Sequence, residues 1–188
     1  MKADKGQYGY RNQKKRQRLA ITLFFTAAVI AQLAARCFTQ DQAARNILTV
    51  MAILTVLPMA NMGSPLIASW KYSTPDRSFY EKVHPYETKM IILYDLILTT
   101  KEDIMPMDAI AVHPQGVFAY CTLEKLDTAK AEKALNALFS GNKLDPNVKI
   151  LREERSFFRR LDSLKPADSY EDDGSTAYAA ALLKNLSM

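Results

Sequence analysis

The sequence predicts a two-helix transmembrane hairpin followed by a small cytoplasmic α/β (α+β) domain. Three observations predict it. Two uncharged apolar runs lie near the start of the chain, a cluster of positive charge precedes them, and the remainder alternates short strand-like and helix-like segments.

The first run covers residues 19–35 (LAITLFFTAAVIAQLAA) and the second residues 47–69 (ILTVMAILTVLPMANMGSPLIAS), and neither holds a charged residue. A hydrocarbon layer about 30 Å thick requires ~20 apolar residues in a helix that rises about 1.5 Å per residue. At 17 residues the first run sits at the short end, and Arg18 and Arg36 extend it by reaching outward on long stems. A buried helical hairpin in a water-soluble fold is the competing reading. It is disfavoured because a chain of 188 residues has little material to cover two such runs. A signal peptide would also begin with basic residues. Here Ala34-Ala35-Arg36-Cys37 is a poor cleavage site and a second span follows, so the first span is read as retained.

Orientation follows from charge. Residues 1–18 carry Lys2, Lys5, Arg11, Lys14, Lys15, Arg16 and Arg18 against Asp4 alone, whereas the chain from Trp70 onward holds 16 basic and 18 acidic residues. The net charge of +5 therefore comes from the tail, not from a basic globular surface. Basic residues beside a span favour the cytoplasmic side. The expected organisation is a basic cytoplasmic tail (1–18), a first span (19–35), an extracytoplasmic loop (36–46), a second span (47–69) and a cytoplasmic domain (71–188). The expected location is the plasma (inner) membrane with both termini cytoplasmic. Arg11, Lys14, Lys15, Arg16, Arg18 and Trp70 are expected at the membrane surface, with anionic lipid headgroups as the partner at about 1 kcal/mol per basic residue. Nucleic acid is the disfavoured partner for the same run.

Within the second span Pro58 predicts a kink, and Asn61, Gly63, Ser64 and Pro65 crowd its last third, as in a helix that unwinds on leaving the bilayer. Gln32 and Asn61 are the strongly polar side chains at depth. In an antiparallel hairpin they fall toward opposite ends and are not expected to pair. The hairpin surface is the candidate contact for a protein partner or a second copy. Cys37 and Cys121 fall on opposite sides of the bilayer, which excludes a disulfide between them within one chain.

In the C-terminal portion, residues 73–76 (STPD) read as a turn or a helix start, and the stretch through residue 87 leaves both open. Residues 90–98 (MIILYDLIL) read as a strand, with a helix as the alternative. Residues 108–112 (DAIAV) and 117–122 (VFAYCT) read as strands flanking His113-Pro114-Gln115-Gly116, the pattern of a type I turn in a β-hairpin. Asp127 or Thr128 caps a helix through Phe139, with Gly141 just past its end. A strand at 148–151, a helix at 153–164, an acidic loop at 166–174 and a last helix capped by Ser175 follow. Sheet and helices are expected to share one core.

The residues Asp95-Leu96-Ile97-Leu98 and Met107-Asp108-Ala109-Ile110-Ala111-Val112-His113-Pro114-Gln115-Gly116-Val117-Phe118-Ala119 resemble the core of the nuclease-related domain (NERD), of the restriction-endonuclease-like group with the PD-(D/E)xK signature. In that group an aspartate opens one strand, a turn follows, and the next strand carries Glu-x-Lys. Asp and Glu hold a divalent metal while Lys assists the nucleophile, and their spacing puts both on one face. The resemblance implies a restriction-endonuclease-like sheet with Asp108 as the candidate catalytic carboxylate. The chain departs from the pattern where Glu-x-Lys should stand, at Tyr120-Cys121-Thr122, and Glu124-Lys125 beyond it are adjacent and point to opposite faces. A catalytically silent relative is therefore expected.

Other chemistry is absent from the sequence. His84 and His113 each precede proline outside metal-ligand spacing, so no metal or cofactor is expected. His113 is expected to cap its own turn. No phosphate-cradling glycine loop or nucleophile elbow is present. Arg152, Arg155, Arg159 and Arg160 recur at helical spacing and form a candidate anion-binding set, weighed against a solvated face because Glu153, Glu154 and Asp162 interleave them. The expected function is a membrane-anchored binding or scaffold module. The alternatives are a divergent metal-dependent nuclease or hydrolase using Asp108 with Glu124 or Glu87, and a small subunit of a larger membrane complex.

Overall fold

A computed structural model describes residues 3–100, 103–171 and 173–188; Lys2 of the basic tail and Asp172 of the acidic loop lie outside them. The chain forms two units. One is Asn12–Tyr72, and the other joins the chain up to Arg11 with Ser73–Met188.

The first unit is made by α1 (Tyr10–Phe38), from Asn12 on, and α2 (Gln42–Ser69). Both helices are long and apolar enough to cross a membrane, and both outrun the uncharged segments that predict them. The expected loop of residues 36–46 shrinks accordingly to residues 39–41. Asp41 makes so tight a connection possible, since its carboxylate accepts the N–H of Ala43 at 3.4 Å and of Ala44 at 3.0 Å, capping α2. α2 stays helical through Pro58 and Pro65 to Ser69, so the expected unwinding around residues 61–65 does not occur. The Ser69 hydroxyl donates back to the Pro65 carbonyl at 2.7 Å in the last turn of the helix.

The two helices run antiparallel. The Thr26 hydroxyl lies 3.4 Å from Met59 Sδ, and Gly63 faces Thr22, whose methyl would be 3.9 Å from an added Cβ. Small residues at the contact let the backbones approach. The outward surface holds Leu23, Phe24, Ile30, Ile53, Leu57 and Ile67, all exposed.

The second unit opens with α3 (Arg77–Val83) and a 3-10 turn (His84–Thr88), which resolve the stretch the sequence leaves open. Then come β1 (Ile91–Thr99), β2 (Ile104–His113), β3 (Gly116–Tyr120), α4 (Thr128–Gly141), β4 (Val148–Leu151), α5 (Glu154–Ser163) and α6 (Ser175–Leu186). The four strands lie in sequence order. β1, β2 and β3 are antiparallel neighbours, and β4 returns parallel to β3 through the α4 crossover. One sheet face packs Leu135 and Phe139 of α4 and Leu183 of α6, and the other packs Phe79 and Val83 of α3 and Phe157 and Leu161 of α5. The result is a three-layer α/β domain around one mixed sheet.

Pro114 and Gln115 connect the hairpin between the paired His113 and Gly116. Gly116 has φ of 140°, and a Cβ there would meet the Asn147 carbonyl oxygen at 2.6 Å, so only glycine fits. Asp127 caps α4 by accepting the Lys130 N–H at 3.1 Å. Gly141 lies inside α4 rather than past it, and the left-handed residue is Lys143 (φ 59°). Nor does Ser175 cap the last helix: its N–H donates to Asp173 at 2.9 Å, while Gly174 (φ 74°) supplies the turn.

Both sheet edges are covered. On β1, Gly6 accepts the Tyr94 N–H at 2.8 Å, Leu98 pairs with Ser187, and Ile97 accepts the Met188 N–H at 3.0 Å. On β4, side chains one turn apart on α4 take the place of a strand. Asn136 Oδ1 accepts the Val148 N–H at 2.7 Å and Glu132 Oε1 accepts the Ile150 N–H at 2.8 Å.

Candidate functional site

Between β1 and β2 the ladder breaks. Tyr94 pairs with Ala109 and Leu96 with Met107, leaving Asp95 and Asp108 opposite each other and unpaired. Asp95 adopts φ of 59°, in the left-handed region, which an aspartate enters more readily than a β-branched residue. The break reverses the alternation of the sheet. Leu93 and Leu96 face the same layer, and so do Met107 and Ile110, whereas residues three apart on an unbroken strand face opposite ways.

Arg11 fills the opening. Its Nη1 donates to Asp108 Oδ1 at 3.1 Å and to the Ser73 carbonyl at 2.6 Å; its Nη2 donates to the carbonyls of Met107 at 2.9 Å and Leu96 at 3.4 Å. The guanidinium thus satisfies two main-chain carbonyls beside the break. The second oxygen of Asp108 accepts the Thr122 N–H at 3.1 Å and its hydroxyl at 2.7 Å. Asp95 Oδ2 accepts the Gly9 N–H and the Thr74 hydroxyl, each at 2.8 Å. All three charged side chains are buried, with exposures of 5 % for Arg11, 1 % for Asp95 and 4 % for Asp108. Asp95 Oδ1 and Arg11 Nε have no hydrogen-bond partner among the described residues. Burial pushes the Asp95 carboxyl above the usual carboxylate range, against the pull of Arg11 and of its hydrogen-bond donors.

The arrangement fastens two chain segments to the sheet, residues 9–11 and residues 73–74. Tyr8 adds to it by donating to the Pro75 carbonyl at 2.9 Å and stacking on Tyr80 with ring centroids 4.5 Å apart. Chemically the site is a buried ion cluster with its Asp108 oxygens engaged.

Arg11 is therefore not the exposed basic side chain that the sequence predicts: two buried carboxylates and two freed carbonyls draw it inside the domain. Lys14, Lys15, Arg16 and Arg18 lie on α1, and Lys15 Nζ sits 5.3 Å from the centre of the exposed Trp70 ring. Gln32 does not meet Asn61; its Nε2 donates to Thr55 Oγ1 at 3.3 Å, while Asn61 is exposed.

Tyr120, at the first position of the missing Glu-x-Lys, is buried against Phe79 with centroids 5.0 Å apart, and Thr122 at the third position is the residue bonded to Asp108. Glu87 accepts from Tyr94 at 2.7 Å and lies 3.1 Å from His84 Nδ1, and Glu124 is exposed in the turn before α4; neither bonds to Asp108. Among the described residues no three His, Cys, Asp or Glu side chains gather to hold a metal ion. His113 Nδ1 accepts the Gln115 N–H at 3.1 Å while Nε2 donates to the Lys165 carbonyl at 2.9 Å, and burial lowers its pKa. Burial raises the Cys121 thiol.

The four arginines part company. Arg152 precedes α5 and donates to the Leu126 carbonyl, Arg155 is exposed, Arg160 stacks over Phe118 at 4.4 Å, and Arg159 shares a groove with Arg160. No family model, curated protein or solved structure matches the chain.

Asp95 is the member of this cluster whose place the sequence hints at without resolving. A lone charge inside MIILYDLIL calls for a buried partner, but the alternation rule gives no sign that the strand reverses there.

Proposed function

We propose that the chain is a membrane-anchored binding or scaffold module, held by the α1–α2 hairpin in the plasma (inner) membrane with both termini on the cytoplasmic side. Its sheet is then a catalytically silent relative of the nuclease-related domain. Support for the anchor comes from the length of the two helices and their exposed apolar side chains, which water solvates poorly. Support for sidedness comes from the basic residues ahead of the first span. The hairpin's outer surface is available to lipid, a protein partner or a second copy.

What carries the silent reading is the engagement of Asp108. A metal ion at Asp108 would have to displace a cation already paired with it: Oδ2 accepts two hydrogen bonds from Thr122, and Oδ1 is paired with the buried Arg11 guanidinium. Buried charge of this kind fixes geometry more than it adds stability. It is well suited to holding residues 9–11 and 73–74, which flank the hairpin in sequence, in fixed register on a rigid sheet. The test is direct: full-length protein incubated with manganese and single- or double-stranded DNA or RNA gives no cleavage. Turnover that disappears in Asp108→Ala would overturn the reading.

A further inference from the structure

A groove of about 560 Å³ lies beside β4, on the sheet face that carries α5. Its floor is formed by Phe118 with Lys149 and Leu151, Phe118 being paired in register with Lys149. Its wall is a stripe of α5 that includes Ser156, Arg159 and Arg160, spaced three and four residues apart on one side of the helix. The cavity has the size of a small-molecule site, and its lining sets the apolar Phe118 and Leu151 among polar and charged side chains.

The charge in this groove is unevenly spent. The carboxylate among the lining residues, Glu132, is already engaged: it accepts the Ile150 N–H at 2.8 Å and pairs with Lys149 Nζ at 3.4 Å. The guanidinium groups of Arg159 and Arg160 make no hydrogen bond or ion pair with any described residue. Arg160 is nonetheless held in place, its guanidinium carbon 4.4 Å above the Phe118 ring. A stacked guanidinium keeps its N–H edge free for a ligand and loses little freedom on binding.

We propose that this groove binds a phosphate ester. Arg159 and Arg160 grip the phosphate oxygens, Lys149 adds a third positive charge, and Leu151 with the Phe118–Arg160 stack meets the apolar part of the ester. The proposal is independent of the silent-nuclease reading, because it uses neither Asp108 nor Arg11. The same chemistry is offered by a soluble organic phosphate and by a phospholipid headgroup.

One labelling experiment separates these sources. Full-length protein in phosphatidylcholine nanodiscs is treated with phenylglyoxal, which modifies accessible arginines, and modification at each arginine is read by mass spectrometry. Glycerol 3-phosphate is added in one arm, and phosphatidic acid is built into the disc in the other. The expected result is that one arm slows modification of Arg159 about tenfold while leaving Arg155, exposed on the same helix, unchanged; the arm that protects identifies the source. Lys149→Gln should raise the concentration giving half-protection by several-fold, and it leaves the Arg160–Phe118 stack intact. Unchanged modification of Arg159 in both arms, equal protection of Arg155 and Arg159, or protection indifferent to Lys149→Gln would overturn the proposal.

Discussion

Removing the Arg11 guanidinium leaves two carboxylates and two main-chain carbonyls stranded in the middle of a sheet. Breaking a buried ion pair from one side costs about 3–5 kcal/mol, far more than an exposed pair would. Arg11→Met should therefore lower the unfolding free energy of the full-length protein in detergent by about that amount. Arg11→Met/Asp108→Asn should recover part of the loss, because the second change removes one of the orphaned charges. Asp95 acts in the opposite sense to the usual acid. Its folded pKa is raised, so between the ordinary carboxylate value and the raised one the folded state binds more protons, and stability falls as pH rises through that window. Asp95→Asn should flatten this slope and cost nothing at alkaline pH, since asparagine keeps an acceptor for Gly9 and Thr74 and tolerates the left-handed conformation. His113 supplies the complementary slope. Its folded pKa is lowered, so the unfolded chain binds more protons, and stability drops as pH falls through about 6.5. His113→Gln should remove that drop, as read from unfolding midpoints at pH 5 and pH 8.

At the scale of elements, the edges of the sheet decide what the domain can do. The N-terminal segment and residues 187–188 bond to β1, and the α4 side chains Glu132 and Asn136 take up the Val148 and Ile150 N–H groups of β4, so both edges are partly occupied from within the chain. Glu132→Ala/Asn136→Ala should uncover the β4 edge, costing about 1–3 kcal/mol for each orphaned N–H and promoting self-association visible by light scattering. These elements were legible in the sequence to different degrees. The hairpin at residues 113–116 could be read because Pro114 and Gly116 act locally, and the apolar spans because their signal needs no tertiary context. The start of α6 is less legible, because Asp173 and Ser175 are both competent caps by type, while the backbone puts Gly174 at the cap position and leaves Asp173 to accept the Ser175 N–H. The site was the least legible part. Arg11 stands 97 residues from Asp108 and sits in a run of cations that looks uniformly solvated. Asp95 and Asp108 each advertise the need for a buried cation, but nothing local says which of the 25 basic residues answers it.

For the whole molecule, the governing question is which solvent surrounds the α1–α2 unit. Leu23, Phe24, Ile30, Ile53, Leu57 and Ile67 are exposed to whatever surrounds the protein, and in water such a surface drives aggregation, whereas in hydrocarbon it costs nothing. The basic residues that remain on α1 and the Lys15–Trp70 contact suit a boundary between lipid and water. If the hairpin is an anchor, the Arg11 cluster and the groove beside α5 both belong to the domain that the anchor carries. The measurement that tests this most directly is extraction of membranes from cells producing the full-length protein with alkaline carbonate, followed by ultracentrifugation. An anchored chain stays entirely in the pellet and is released only by detergent. Recovery in the carbonate supernatant as a monodisperse species would contradict the anchor.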